Sequence, residues 1–153
     1  MAGSFAAQLT AFASATRERA DNVFRTSATR VIADMQTEVS AGGNMPVDTG
    51  FLRASLQVDK DAPAPINGTA PDKTAAYAYD PSAATLTIND AGIGDQLFAC
   101  YTANYAPMVE YGARGRAGRQ FVGMAAQKWP AIVAQACVEL QSGASSSPGG
   151  STP

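Results

Sequence analysis

Histidine is absent from this chain of 153 residues, and charged residues make up only 16% of it. The first absence removes the commonest metal ligand and the commonest general base of enzymes. The low charge content favours a chain that buries part of its surface against copies of itself. No Cys/Asp/Glu cluster has the spacing of metal ligands, and no nucleophile has a neighbouring base. We therefore expect no catalytic residue, no metal and no cofactor.

Cysteine is also scarce. Cys100 and Cys137 both lie among apolar residues, which predicts two buried free thiols rather than a disulfide. No apolar stretch approaches the roughly 18 residues that a membrane helix needs. The N-terminus lacks a charged region followed by an apolar run, so we expect no signal peptide and no membrane partner. These features predict a soluble, cytosolic protein.

The charges that are present are unevenly distributed. Net charge is −2, which by itself indicates no nucleic-acid partner. Residues 42–100 hold seven Asp against three basic residues. Between Glu110 and Glu139 there is no acidic residue, and the basic residues there are Arg114, Arg116, Arg119 and Lys128. An acidic middle and a basic C-terminal stretch would complement each other head to tail in a ring, although ordinary surface charge gives the same pattern.

The N-terminal region predicts one long helix over residues 3–41. Apolar residues recur there every three or four positions, and no Pro or Gly interrupts from Ser4 to Ala41. The stripe thins at 16–21, where a kink or an exposed waist is expected. At about 1.5 Å per residue such a helix is about 60 Å long, more than a domain of this size can cover. Part of it must project or pack against another chain.

The remaining elements predict a small antiparallel sheet followed by helices. A short helical turn after Pro46 is expected, capped or braced by Asp48 or Thr49. Alternating residues predict strands at 55–59, 75–80, 85–88 and 96–103, with a Pro-rich loop at 61–74. A short helix is predicted at 105–111, ending at Gly112, and a last helix at 121–140 that Pro130 kinks or divides.

These elements together predict the α+β class. A long N-terminal helix and a C-terminal helix pack on a small antiparallel sheet in a single domain over residues 1–140. Residues 141–153 are rich in Gly, Ser and Pro, so a disordered tail is expected there.

Two local motifs suggest other chemistry. Asp48-Thr49-Gly50 is the tripeptide of aspartic proteases, and a homodimer would bring two such aspartates together. Here it follows loop sequence and precedes Phe51-Leu52-Arg53 rather than ending a buried strand. The segment 112–119 has the Gly and Arg content of a phosphate cradle or a nucleic-acid segment. It lacks the Lys-Ser/Thr ending of a P-loop and has no interleaved aromatic residues. An inter-subunit loop, or one facing DNA in a channel, is the favoured interpretation.

Two separated phrases form the most specific pattern in the sequence. One is Pro46-Val47-Asp48-Thr49-Gly50-Phe51-Leu52-Arg53-Ala54-Ser55; the other is Asn104-Tyr105-Ala106-Pro107-Met108-Val109-Glu110-Tyr111-Gly112, followed by Gln120-Phe121. In this order, behind a long helix and before a C-terminal helix opened by Phe121, they resemble the neck or tail-completion proteins of long-tailed bacteriophages, often labelled minor tail component. The resemblance covers residues 3–140. Where that family commonly has Pro before the Phe, this chain has Gln120, and its 61–74 loop is longer than usual.

The resemblance implies a structural virion protein and not an enzyme. Its α+β subunit would form a hexameric or, alternatively, dodecameric ring at the head–tail junction, assembled in the host cytoplasm. The ring would join the tail tube or tail terminator to the head-closure complex. A tail terminator or head-closure protein of related architecture is the alternative.

Particular residues are expected to carry these roles. Arg114, Arg116 and Arg119 are expected to contact a neighbouring subunit or DNA in the channel, because no acidic residue lies between Tyr111 and Val138 to pair with them. Gly112, Gly115 and Gly118 predict that their loop is too flexible to be a rigid core element. The residues expected to carry the motif structurally are Asp48, Thr49, Gly50, Leu52, Arg53, Ser55, Tyr105, Glu110, Tyr111, Gly112 and Phe121.

Overall fold

A computed structural model describes residues 3–145. The helices within that range are α1 (Phe5–Met35), α2 (Phe51–Ala54), α3 (Ser82–Asp90), α4 (Ala106–Tyr111), α5 (Phe121–Gln127) and α6 (Trp129–Ser145). Two antiparallel strand pairs accompany them, β1 (Leu56–Asp59) with β2 (Phe98–Tyr101) and β3 (Gly112–Ala113) with β4 (Arg116–Ala117). About 53% of the structure is helical, and the predicted α+β arrangement is confirmed.

Helix α1 begins at a site that the sequence marks and ends before the predicted one. The Ser4 hydroxyl accepts a hydrogen bond from the Ala7 amide at 3.2 Å, which caps the first turn. The helix ends at Met35, earlier than predicted, and a 3₁₀ turn at Val39–Ala41 follows it. The chain folds back because Met45 exchanges backbone hydrogen bonds with Thr37 and Val39, at 3.1 and 3.0 Å. Those bonds replace the helical ones that residues 36–41 would have made.

The main core lies between the C-terminal half of α1 and the β1–β2 ribbon. Its buried members are Ala28, Ile32, Met35, Leu56, Val58, Ala84, Ile88 and Ala125. Burial of a large aliphatic side chain stabilises the fold by about 1.5–3 kcal/mol. Ion pairs from Arg30 to Glu139 and from Asp34 to Lys128 join α1 to the last helices at the surface. Exposed pairs contribute about 0–1 kcal/mol each, so the apolar cluster dominates the packing of α1.

Two of the four predicted strands are not formed. Residues 75–80 have no regular structure, and the predicted strand at 85–88 lies within α3. Asp80 explains the helix, because its carboxylate accepts hydrogen bonds from the Ser82 amide at 2.9 Å and from the Ser82 hydroxyl at 2.6 Å. Ala84 and Ile88 are both buried, and their spacing of four residues places them on one helical face. That burial outweighs the alternation of Thr and apolar residues.

The other expected elements are present. Strands β1 and β2 pair with Leu56 opposite Tyr101 and Asp59 opposite Phe98. Residues 61–74 form a loop without a helix or an extended ladder. Pro130 lies in the first turn of α6, immediately after the break at Lys128 that separates α5 from α6. The cysteines are free, as predicted, but each is only half-buried.

The predicted disordered tail is corrected at its beginning. Residues 141–145 continue α6 to Ser145. The rest of that prediction, at 146–153, lies outside the described residues.

The first half of α1 projects from the body, as the length of the helix predicts. Residues 3–19 are all exposed, and we call 5–19 the N-terminal arm. Phe5, Leu9 and Phe12 follow the helical period on one side of the arm and are 80%, 55% and 69% exposed. Contacts with the body begin at Asp21, whose carboxylate accepts a hydrogen bond from the Ile93 amide at 2.7 Å. The arm therefore adds apolar surface that its own chain does not cover.

A chain that begins at Thr16 tests this arrangement. We expect its free energy of unfolding to stay within about 0.5 kcal/mol of that of the full chain, because the removed side chains bury nothing in the monomer. The measurement is urea unfolding followed by Trp129 fluorescence at low protein concentration. Ile32→Ala, in the buried part of the same helix, is the control and should lose about 2–5 kcal/mol. A comparable loss in the truncated chain would show that the arm packs on the body.

Candidate functional site

The two sequence phrases meet in a second apolar cluster. Its buried members are Met45, Leu52, Ala103, Ala106 and Phe121. Phe51 and Tyr105, one from each phrase, stack with their ring centroids 6.2 Å apart. Residues that are far apart in the sequence thus form one structural unit at the end of the β1–β2 ribbon where Leu56 faces Tyr101.

Gly50 holds the first phrase in place. It adopts a φ of 85°, and a Cβ atom at this position would lie 2.2 Å from the Tyr77 carbonyl oxygen. The close approach lets the Tyr77 amide donate to the Thr49 carbonyl at 2.8 Å. The Phe51 amide lies 3.4 Å from the Thr49 hydroxyl oxygen, while no hydrogen bond is assigned to the exposed Asp48 carboxylate within residues 3–145. The structure thus gives no support to Asp48 as the capping residue.

Arg53 and Ser55 link the first phrase to its surroundings. The Arg53 guanidinium forms an ion pair with the Glu38 carboxylate at 2.5 Å. The backbone carbonyl of Arg53 accepts a hydrogen bond from the Gln36 side-chain amide at 3.1 Å. The Ser55 carbonyl accepts from both the amide and the hydroxyl of Thr102, at 3.0 and 2.9 Å. These bonds fasten α2 to the end of α1 on one side and to β2 on the other.

Glu110 links the second phrase to its surroundings. Its buried carboxylate accepts the amide hydrogens of Val122 at 3.0 Å and Gly123 at 2.8 Å. These are free donors in the first turn of α5, so a negative charge is favourable there. Both carboxylate oxygens are engaged in these hydrogen bonds, so Glu110 acts as a structural residue. The neighbouring Tyr111 is 82% exposed and takes no part in the core.

The segment that follows is a tight hairpin. Gly112 pairs with Ala117 and Ala113 with Arg116, which leaves Arg114-Gly115 as a two-residue loop. Both loop residues have positive φ, 53° and 78°, as a type I′ turn requires. We call residues 112–119 the basic hairpin. Its register places Arg114 at the tip and Arg116 on the returning strand.

The basic hairpin is anchored and is not the flexible loop that its glycines suggested. The Arg119 amide donates to the Val109 carbonyl at 2.7 Å, and the Gln120 amide donates to the Glu110 carbonyl at 3.1 Å. A Cβ atom on Gly118 would lie 2.2 Å from the Glu110 carbonyl oxygen. Glycine therefore serves here for close approach of the returning strand to α4.

Gln120 begins α5 from a backbone conformation that excludes proline. Its φ is 50°, in the left-handed region. Proline is locked near −65° and cannot adopt this conformation.

A groove of about 980 Å³ lies between α4 and the basic hairpin. We call it the basic groove; its lining residues are Pro46, Tyr105, Met108, Val109, Ala113, Arg114, Arg116, Ala117, Gly118 and Arg119. Burial raises the pKa of Tyr105 above its usual range, so that phenol is neutral at physiological pH. The structure thus brings the three predicted arginines together on an apolar floor. Sequence reasoning missed Pro46 and Met108 as lining residues of the groove, because no local pattern relates them to the hairpin.

The arginine side chains are exposed and unpaired. Among residues 3–145, none of Arg114, Arg116 and Arg119 takes part in an ion pair. Guanidinium groups bind carboxylates and phosphates through parallel hydrogen bonds. The groove therefore has the chemistry to bind an anionic group next to an apolar one.

The geometry does not support a metal site, a membrane-spanning helix or a protease site in the described residues. No group of three or more Cys, Asp or Glu in the described part of the chain is arranged to hold a metal ion. No helix within those same residues is long and apolar enough to cross a membrane. Asp48 lies on an exposed turn before α2 and does not end a strand, unlike the aspartate of an aspartic protease.

Fold and site together define an α+β protein with a basic groove beside a rigid hairpin. No protein-family model, no curated protein and no solved structure matches this chain.

Gly50 and Gly115 form a matched pair for testing the close contact between the first phrase and Tyr77. Both have positive φ, but only Gly50 faces a neighbouring carbonyl, and nothing lies within 4 Å of a Cβ atom on Gly115. Gly115→Ala should cost about 1–2 kcal/mol from the left-handed backbone alone. Gly50→Ala should cost about 2–5 kcal/mol, because it adds a clash with backbone. Equal losses in denaturant unfolding would show that the contact with Tyr77 does not constrain the fold.

Proposed function

We propose that this protein is a structural ring protein of the neck of a long-tailed bacteriophage. In this role it joins the tail tube or tail terminator to the head-closure complex. The observation that carries the proposal is the basic groove, in which three arginines are held on a rigid hairpin without an ion-pair partner among residues 3–145. The ordered pair of phrases supports the same role, since both phrases form the scaffold behind that groove.

The electrostatics of the basic groove favour a contact between molecules. The hairpin is fixed by backbone hydrogen bonds, so its main chain does not have to be ordered on binding and only the arginine side chains lose freedom. An exposed single pair contributes only about 0.2–1 kcal/mol. A closed ring repeats each contact in every subunit, and three arginines per subunit multiply it further.

Uncovered apolar surface supports self-association as well. The N-terminal arm presents Phe5, Leu9 and Phe12 to solvent on one side of the helix. Contiguous exposed apolar side chains are typical of surfaces that bind another protein.

Replacement of Arg114, Arg116 and Arg119 by serine tests the role of the groove. The monomer should stay folded, because none of the three side chains packs in a core, and ring formation or tail joining should be impaired. The measurements are circular dichroism, native mass spectrometry with and without tail tubes, and the yield of infectious particles. The triple lysine variant keeps the charge and should retain part of the assembly.

Lys73→Ser is the control for loss of an exposed positive charge elsewhere, and it should assemble normally. The proposal fails if the triple serine variant forms infectious particles at the level of the unmodified chain. Contact with DNA in the channel instead of an acidic neighbour would appear as normal rings that fail only in particles containing DNA.

A further inference from the structure

The subunit carries a second charged surface, of opposite sign to the basic groove. Asp90 ends α3, and Asp95 follows in the turn that leads to β2. Leu86 and Ile93 lie close to them in sequence and are both more than half exposed. We call these four residues the acidic ridge. Like the basic groove, it combines exposed apolar side chains with charged groups.

The acidic ridge retains negative charge after its internal contacts. Lys60 is shared between Asp90, at 2.9 Å, and Asp95, at 3.7 Å. The Asp90 side chain is nevertheless 80% exposed, so one face of its carboxylate remains open to a guanidinium. Asp21 adds a third carboxylate through its contact with the Ile93 amide, and Arg25 contacts the Ala91 carbonyl, so three carboxylates lie here against the two cations Arg25 and Lys60.

The two charged surfaces lie at opposite ends of the body. In the β1–β2 ribbon, Asp59 faces Phe98 at the end next to the acidic ridge, and Leu56 faces Tyr101 at the end next to α4. Along α1, Asp21 contacts the ridge segment, and Gln36, which caps the C-terminal end of the helix, contacts Arg53 next to the apolar cluster behind the groove. These two positions are about 22 Å apart at 1.5 Å per residue. One subunit therefore cannot bring its own ridge to its own groove.

We propose that the basic groove of one copy binds the acidic ridge of a second copy, with Leu86 and Ile93 on the apolar floor and Asp90 and Asp95 against the arginines. The inference rests on the proposed function in naming a second copy as the occupant. It adds which surface of that copy is bound, and therefore the polarity of the assembly.

Complementarity argues for this occupant. The groove offers an apolar floor, including the largely exposed Met108, with arginines at its rim. The ridge offers the same combination with carboxylates. Opposite potentials on two different patches of one molecule give a head-to-tail contact, which propagates around a ring instead of stopping at a dimer. Like charges meet in any groove-to-groove or ridge-to-ridge pairing, which disfavours a two-fold dimer through either surface.

Charge reversal separates the two surfaces. The groove variant carries Arg114→Glu and Arg116→Glu, and the ridge variant carries Asp90→Arg and Asp95→Arg. In each, like charges replace opposite ones, so we expect self-association at least about a hundredfold weaker by sedimentation velocity and native mass spectrometry. Lys73→Glu reverses an exposed charge outside both surfaces and should associate as the unmodified chain does.

A mixture of the two variants gives the decisive measurement. The intact groove of the ridge variant binds the intact ridge of the groove variant, and the reversed groove meets the reversed ridge with opposite charges as well. The expected product is therefore a mixed assembly in which the two variants alternate, whereas each variant alone stays dissociated. A chain that carries both reversals has complementary surfaces again and should recover association, whereas roughly 1 M salt should dissociate the unmodified assembly because the Debye length falls to about 3 Å.

Several results would overturn the inference. They are a purified chain that stays monomeric, reversals that leave association unchanged, or a mixture in which the two variants do not co-assemble. Circular dichroism of each variant identifies a folding defect. Asp95→Asn and Arg116→Ser supply a milder pair of variants, each of which must also associate more weakly than the unmodified chain. If these tests fail while the triple serine variant still lowers particle yield, the neck function stands and the groove binds a different protein. If the two variants co-assemble but particle yield is insensitive to the arginines, the association is real and the neck function falls.

Discussion

One carboxylate organises the end of the molecule that carries the groove. Glu110 lies beneath the first turn of α5 and accepts two of its amide hydrogens, while its own backbone carbonyl accepts the Gln120 amide. The side chain thus joins α4 to α5, and the main chain of the same residue joins α4 to the end of the basic hairpin. A buried acid without these donors would be strongly unfavourable, so α4, the hairpin and α5 keep one relative position. The orientation of the three arginines depends on that position.

Much of this architecture could be predicted from the sequence, because the governing signals are local. Helical periodicity and the Ser4 cap identify α1, alternation identifies β1, and Pro130 identifies the start of α6. The segment 85–88 was predicted wrongly as a strand. Its alternation is as regular as that of β1, but Ala84 and Ile88 are buried on one face of α3, whose first amide donates a hydrogen bond to Asp80. For this segment, the choice between a strand and a short helix depends on which side chains contact the core. Those contacts are made with elements that are distant in the sequence.

The sequence identified the arginines of the site, but it did not predict the geometry of the hairpin that holds them. Three arginines in a stretch without acids indicated an unpaired basic surface, and the structure brings them together on one hairpin. The glycines were taken to confer flexibility, whereas Gly118 allows backbone to approach backbone and Gly115 completes a two-residue turn. Asp48 was expected to cap or brace the turn before Leu52, although its carboxylate is exposed and Gly50 sets the geometry. Composition identifies a glycine but not which of its properties is used, because that depends on what lies opposite.

The N-terminal arm has a consequence for how the subunit behaves before it meets a partner. An isolated helical segment of this length is marginally stable in water, and the arm lacks the tertiary contacts that hold the rest of α1. Its amide hydrogens should therefore exchange with solvent far faster than those near Ile32, although both belong to one continuous helix. Covering Phe5, Leu9 and Phe12 would then order backbone and bury surface in a single step. Association of this kind carries an unfavourable conformational entropy and a heat-capacity change larger than rigid docking gives, so its affinity depends strongly on temperature.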